Sequence, residues 1–162
     1  MTTTIRGAAD PSALIVGLAR TPDRLAALVA GASASALDAA PPGEWSARTV
    51  LAHLRDDEFM VMRLRLERML IEDNPDLTPF DEQAWATSNW NSGDPVPDLL
   101  ADFRAQREAT LMILRRLPDA DWRHTGFQPE IGRFDVHWWV EHWVEHDENH
   151  LAQIQTALQA AG

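Results

Sequence analysis

Apolar residues recur at three- and four-residue intervals along four long stretches of the chain, the period of a helix that buries one face. The first opens at Asp10-Pro11, an N-cap residue followed by proline, and continues through Ala13, Leu14, Val16 and Leu18. Pro22 then restarts or kinks it, since proline cannot donate to the preceding turn, before Leu25, Leu28, Val29 and Ala32. Ser46 caps a second helix whose stripe, Val50, Leu51, Leu54, Met60, Val61, Leu64, Met69 and Leu70, runs to about Glu72. Asp94-Pro95 opens a third, through Leu99, Leu100, Phe103, Leu111 and Leu114, which stops before Pro118. Asp135 caps the fourth, beginning at Val136. Between them, residues 31–43 read as a connector and residues 121–135, with Gly126, Pro129 and Gly132, as an irregular crossover. Residues 73–94 form a polar loop in which Asp81–Ala86 can make a short helix. With no convincing strand and no internal repeat, the pattern predicts an all-α four-helix bundle. The chain reads as one domain, 1–162, with residues 1–10 a flexible N-terminal arm.

Histidine changes this picture. Four of the six lie on the last helix, and His142, His146 and His150 recur at every fourth residue, which stacks their rings along one face. Two neighbouring imidazoles so placed can hold one divalent ion, and a third ligand must come from another helix. Bundles build such sites between facing helices, and His53 lies near the start of the second. His142 and His150 stand about 12 Å apart along the axis, so the adjacent pair His146 and His150 is the better choice. His142 then lies behind a ligand or simply packs. Asp57, four residues after His53, shares its face as a hydrogen-bond acceptor for a ligand, a fourth ligand, or a solvated charge.

The chain has no cysteine, which excludes thiolate zinc sites, iron–sulfur clusters, disulfides and a cysteine nucleophile. Fourteen basic against 25 acidic residues give a net charge of -11, which argues against nucleic acid or an anionic membrane as a partner. No apolar run reaches membrane-spanning length and no signal peptide is visible, so a cytoplasmic protein is expected. Phe80, Trp85 and Trp90 either line a pocket or anchor the 73–94 loop. Trp138, Trp139 and Trp143 suit core packing or a homodimer interface. Arg48, Arg55, Arg63 and Arg133 are candidates for a basic pocket, or pair with nearby acids.

Taken together, Glu44-Trp45-Ser46 leading into Val50–Leu54, the downstream Glu58, Asp81–Trp85, Leu117–Trp122 and His146–Ile154 resemble the DinB superfamily of DinB/YfiT-like metalloenzymes over nearly the whole chain. The resemblance implies a four-helix bundle with an unusual crossover order, often dimeric, and a divalent ion on His53, His146 and His150. It also implies relatives that act as transferases or isomerases with a low-molecular-weight thiol, mycothiol or bacillithiol, beside many with no assigned reaction.

Three functions remain open for a small-molecule substrate. One is a metal-dependent transferase in which such a thiol, as co-substrate, binds zinc or nickel and attacks as thiolate. Another is a hydrolase in which the ion acidifies its bound water and a carboxylate, Asp57, moves protons as the catalytic residue. The third is a non-catalytic metal- or ligand-binding protein. A zincin-type protease is disfavoured, because Asp147 stands where His-Glu-x-x-His needs glutamate and it points off the histidine face.

Overall fold

The computed structural model describes residues 3–88 and 93–161. Its helices are α1 (Pro11–Val29), α2 (Ala34–Asp38), α3 (Ala47–Asp57), α4 (Leu64–Ile71), α5 (Glu82–Thr87), α6 (Val96–Leu114) and α7 (Val136–Ala160). A π-helical segment, Glu58–Arg63, joins α3 to α4 without a break, so these three form the second long helix. The bundle is four-membered as expected: α1 and α3 each pack against both α6 and α7. None of its helices is long and apolar enough to cross a membrane among the described residues.

Helix starts follow the sequence signals. Asp135 Oδ1 accepts from Trp138 N at 2.8 Å, Ser46 Oγ from Thr49 N at 3.2 Å and Asp81 Oδ1 from Ala84 N at 2.8 Å, each satisfying an orphan donor of the first turn. Pro22 neither restarts nor breaks α1. The carbonyl it leaves without a helical partner, Leu18 O, accepts from Arg107 Nη1 at 2.8 Å, so the missing bond is replaced from α6.

Three expectations are corrected. The 121–135 crossover is ordered: a 3₁₀ turn, Asp121–Arg123, leads into a hairpin of β1 (Thr125–Gln128) and β2 (Gly132–Asp135), antiparallel with Gly126 opposite Phe134. These strands were too short to show a period of two. Part of the expected connector forms α2, capped by Ser33. The arm, from residue 3 onward, is tied down. Ile5 N donates to Arg133 O at 2.8 Å and Ile5 O accepts from Asp135 N at 3.0 Å, which adds a bridge to the hairpin edge. Gly7 N then donates to Asp135 Oδ1 at 3.1 Å and Ala8 N to Glu141 Oε1 at 2.7 Å. Gly7 passes so close to α7 that a Cβ there would lie 2.5 Å from the carbonyl carbon of His137.

The core has two apolar halves. One holds Leu25, Leu54, Trp85, Phe103, Leu151 and Ile154; the other holds Leu18, Met62, Leu66, Leu111, Trp139 and Trp143. A polar layer separates them. Arg107, fully buried, pairs in bidentate fashion with Glu58 (2.9 and 2.8 Å) and also reaches both oxygens of Asp147 (2.6 and 3.0 Å). Thr110 and Trp143 donate to Glu58, and Thr21 donates to Asp147. One cation against two carboxylates, with every oxygen bonded, is the condition under which buried charge is tolerated.

Candidate metal centre

Directly beside this layer, α7 turns the histidine row toward α3. His53 is 0% exposed, and ring centroids lie 5.6 Å apart for His53 and His146, 4.7 Å for His53 and His150, and 4.4 Å for His146 and His150. One nitrogen from each of the three falls within 4.8 Å of the others. Nε2 of His146 and Nε2 of His150 are 3.2 Å apart, close to the roughly 3.3 Å edge spanned by two ~2.0 Å bonds at a tetrahedral angle.

The hydrogen bonding of these rings fits a cation. Neither nitrogen of His53 has a partner, nor has Nδ1 of His146, although all are buried. An unmet buried polar atom ordinarily costs about 1–3 kcal/mol, and a bound ion removes that cost for His53. His150 Nδ1 donates to Gln153 Oε1 at 2.8 Å, which leaves its Nε2 lone pair pointing into the cluster. Trp45 and Trp85 meet the His53 ring edge-on, each at 5.2 Å, and Phe80 stacks on it at 6.4 Å, so the site has an aromatic wall. Trp85 is fixed in turn by its Nε1, which donates to Asp56 Oδ2 at 3.0 Å. The loop aromatics Phe80 and Trp85 therefore do both things expected of them; Trp90 lies outside the described residues.

Asp57 is no solvated charge. It is 4% exposed, and its Oδ2 stands 3.2 Å from His146 Nε2. Burial pushes the His53 imidazolium down to about 3, helped by its two histidine neighbours and only partly opposed by Asp57, so His53 is a neutral donor. Burial lowers His150 as well, with the charge on His146 adding to it. For His146 burial is outweighed by the carboxylates of Asp147 and Asp57, which raise it. Asp57 makes the direct contact: Asp147 Oδ1 is 3.9 Å from His146 Nδ1, beyond hydrogen-bond reach, and its oxygens are engaged by Arg107 and Thr21.

The remaining candidates fall away from the cluster. His142 stacks on Trp138, centroids 5.2 Å apart and planes 6° from parallel. Trp139 and Trp143 belong to the core. Arg48 pairs with Asp38, Arg55 with Asp56 and Asp94, and Arg63 with Glu67 and Gln106. Two residues were missed. Arg107 orients Asp147 next to a histidine of the cluster, and its place four residues after Phe103 and four before Leu111, on the apolar stripe, was a readable sign that it is buried. Arg65, described below, carried no comparable signal.

The fold and the site together define a class: four-helix-bundle proteins with a three-histidine set, placed between helices, that suits a divalent metal. Within it, the chain belongs to the DinB superfamily, whose family model matches residues 18–154. It is 30% identical over 112 residues to a protein of Oceanobacillus iheyensis named for an inferred metal-dependent hydrolase activity, a match covering 69% of this chain and 64% of that protein, just under two thirds of its length. A relative from Geobacillus thermodenitrificans with the same kind of name is 27% identical over 158 residues, covering 96% of this chain and 88% of the relative. The solved structure of YfiT from Bacillus subtilis, described as having an unusual four-helix bundle topology, superposes with a TM-score of 0.88 at 23% identity, covering 98% of this chain and 93% of that one.

Proposed function

We propose that the protein is a metal-dependent hydrolase of small molecules, with His53, His146 and His150 as the metal ligands and Asp57 as the proton-carrying group. The observation that carries this reading is the buried Asp57 carboxylate, 3.2 Å from Nε2 of His146 and beside three imidazole nitrogens that converge. A divalent ion held by these histidines, zinc or nickel by its affinity for imidazole, supplies Lewis acidity and makes water a nucleophile near neutral pH. The chain does the rest. His53 stays neutral, and Gln153 orients His150. Asp57 Oδ2 accepts the proton of the attacking water and returns it to the leaving group, a role worth about 10²–10⁴ in rate. Trp45, Trp85 and Phe80 keep bulk water from the His53 side. The names borne by the Oceanobacillus and Geobacillus relatives support the same chemistry.

Thiol transfer would use the same donor set but has no need of a buried carboxylate that takes up a proton from water; the Asp57 contact favours hydrolysis. The test measures metal content by plasma mass spectrometry and turnover of p-nitrophenyl acetate, with and without added thiol. Wild type should hold about one ion per chain, His53→Ala and His146→Ala should lose it while folded, and Asp57→Asn should keep it but lose turnover by about 10²–10⁴-fold. Metal-stripped protein as active as loaded protein, or full activity in Asp57→Asn, would refute hydrolysis by this route. Turnover seen only with thiol would transfer the assignment to the transferase.

A further inference from the structure

Resting on the reading of the three histidines as metal ligands, we propose that a cleft beside them is the acid-binding part of the same site, and that its ligands are small molecules carrying a carboxylate, which Arg65 holds. The cleft, about 170 Å³, is lined by Met60, Val61, Leu64, Leu77 and Phe80, with Arg65 among them. Its Phe80 end touches the histidine centre, since that ring stacks on His53 at 6.4 Å. Arg65 also faces the centre. Helical side chains lean toward the N-terminal end of their helix, so Arg65 reaches back toward Asp57, whose charge it feels together with that of Glu130.

Arg65 is positioned but not neutralised. Its Nη2 donates to Thr78 O at 2.7 Å and its guanidinium lies 5.2 Å over the Trp139 ring, two contacts that fix the fork in place. No carboxylate comes within ion-pair distance of it among the described residues, whereas Arg68, the other arginine of the cleft, is closed off by Glu72 at 2.7 and 2.8 Å. Burial lowers the pKa of Arg65, the sign of a cation short of counter-charge, although it stays charged. In a chain of net charge -11, a half-buried arginine with no acid partner stands apart. Leu64 and Met60, 48% and 39% exposed, offer apolar surface beside it. A guanidinium matches a carboxylate in a two-point fork. The cleft volume lies below the ~300–1,000 Å³ of drug-sized sites, which limits the ligand to an acid group on a short apolar stem. The stem then runs past Phe80 toward His53.

The experiment is an NMR titration of hexanoate, with hexanamide as the uncharged control, into zinc-loaded and metal-stripped wild type, Arg65→Met, Arg65→Lys and Arg116→Met. The last removes an exposed arginine outside the cleft and controls for net charge. Hexanoate should shift the ring signals of Phe80 and His53, bind Arg65→Met at least tenfold more weakly than wild type, bind Arg65→Lys with intermediate strength, and bind Arg116→Met unchanged. Hexanamide should bind no better than hexanoate binds Arg65→Met. Equal hexanoate binding in Arg65→Met, equal binding of the amide, or no binding to wild type overturns the proposal. Zinc content is measured on the same samples: its absence from wild type would defeat the metal reading, while the Arg65 comparison in stripped protein still decides the cleft.

Discussion

Replacing Arg107 by methionine keeps most of the side-chain volume and removes the one cation of the polar layer. Glu58 and Asp147, 1% and 2% exposed, are then left as two facing carboxylates, and Leu18 O loses the donor that stands in for the proline's missing N–H. Breaking a buried ion pair from one side costs about 3–5 kcal/mol, a large share of the roughly 5–15 kcal/mol that holds a domain folded. For a chain of this size each kcal/mol is about 2–4 °C in Tm, so a fall of about 6–20 °C is expected at pH 7. The sign of the pH dependence is the sharper test. In wild type, burial acts to raise Asp147, but Arg107 and the bonds from its neighbours hold it down at about 2 against an ordinary 3.8. Its contribution, about 2 kcal/mol, is present above pH 4 and lost as pH falls from about 4 to about 2. Without Arg107, burial dominates and the folded pKa lies above the unfolded one. Arg107→Met should therefore gain stability as pH falls through that raised value, while wild type over the same range is flat or declining. Urea unfolding at pH 7, 6, 5 and 4 reads both slopes. A variant within about 1 kcal/mol of wild type at pH 7, or one with the same slope, refutes the account of the layer.

Further outcomes follow from single contacts. Trp85→Phe removes the donor to Asp56 Oδ2 and should cost about 1–3 kcal/mol in chemical denaturation, with metal content retained. Gly7→Ala sets a Cβ against the α7 backbone, so the arm should leave the hairpin edge; limited proteolysis within residues 3–9, resisted by wild type, checks this. Gln153→Leu removes the acceptor that orients His150 and should weaken zinc binding about 10–100-fold in a competition titration, with folding unchanged by circular dichroism.

Much of this architecture was legible because its signals are local. The caps at Ser46, Asp81 and Asp135 and the four-residue spacing of His146 and His150 depend on neighbours within one turn of helix. Placing His53 opposite them required only that a bundle bring two apolar faces together. The hairpin was hidden because its buried positions, Phe127 and Phe134 in particular, are supported by partners distant in sequence: Leu77 and Pro75 on one side, Ile5 on the other. Asp57 read as a surface charge for a similar reason, since what keeps it buried is His146, 89 positions away. The polar layer was half visible. Glu58, Arg107 and Asp147 each sit four residues after one core residue and four before another, at Leu54 and Met62, Phe103 and Leu111, Trp143 and Leu151, but only the fold shows that three such misfits meet.

The π-helical segment gives the second long helix something like a reading frame. Up to Asp57 the helix is set for the histidines; from Leu64 onward it is set for the other half of the core, with Leu66 and Met69 fully enclosed and Leu64 and Ile71 facing out. Excising a single residue from Glu58–Arg63 would let ordinary helical geometry resume and turn everything downstream by about 100°. Leu66 and Met69 would swing toward water and Arg65 out of its cleft, while His53 and Asp57 stayed where they are. A one-residue gap here is therefore a frameshift in three dimensions, and relatives aligned across this segment should be compared by which side of the gap each residue falls on, not by its distance from the nearest match.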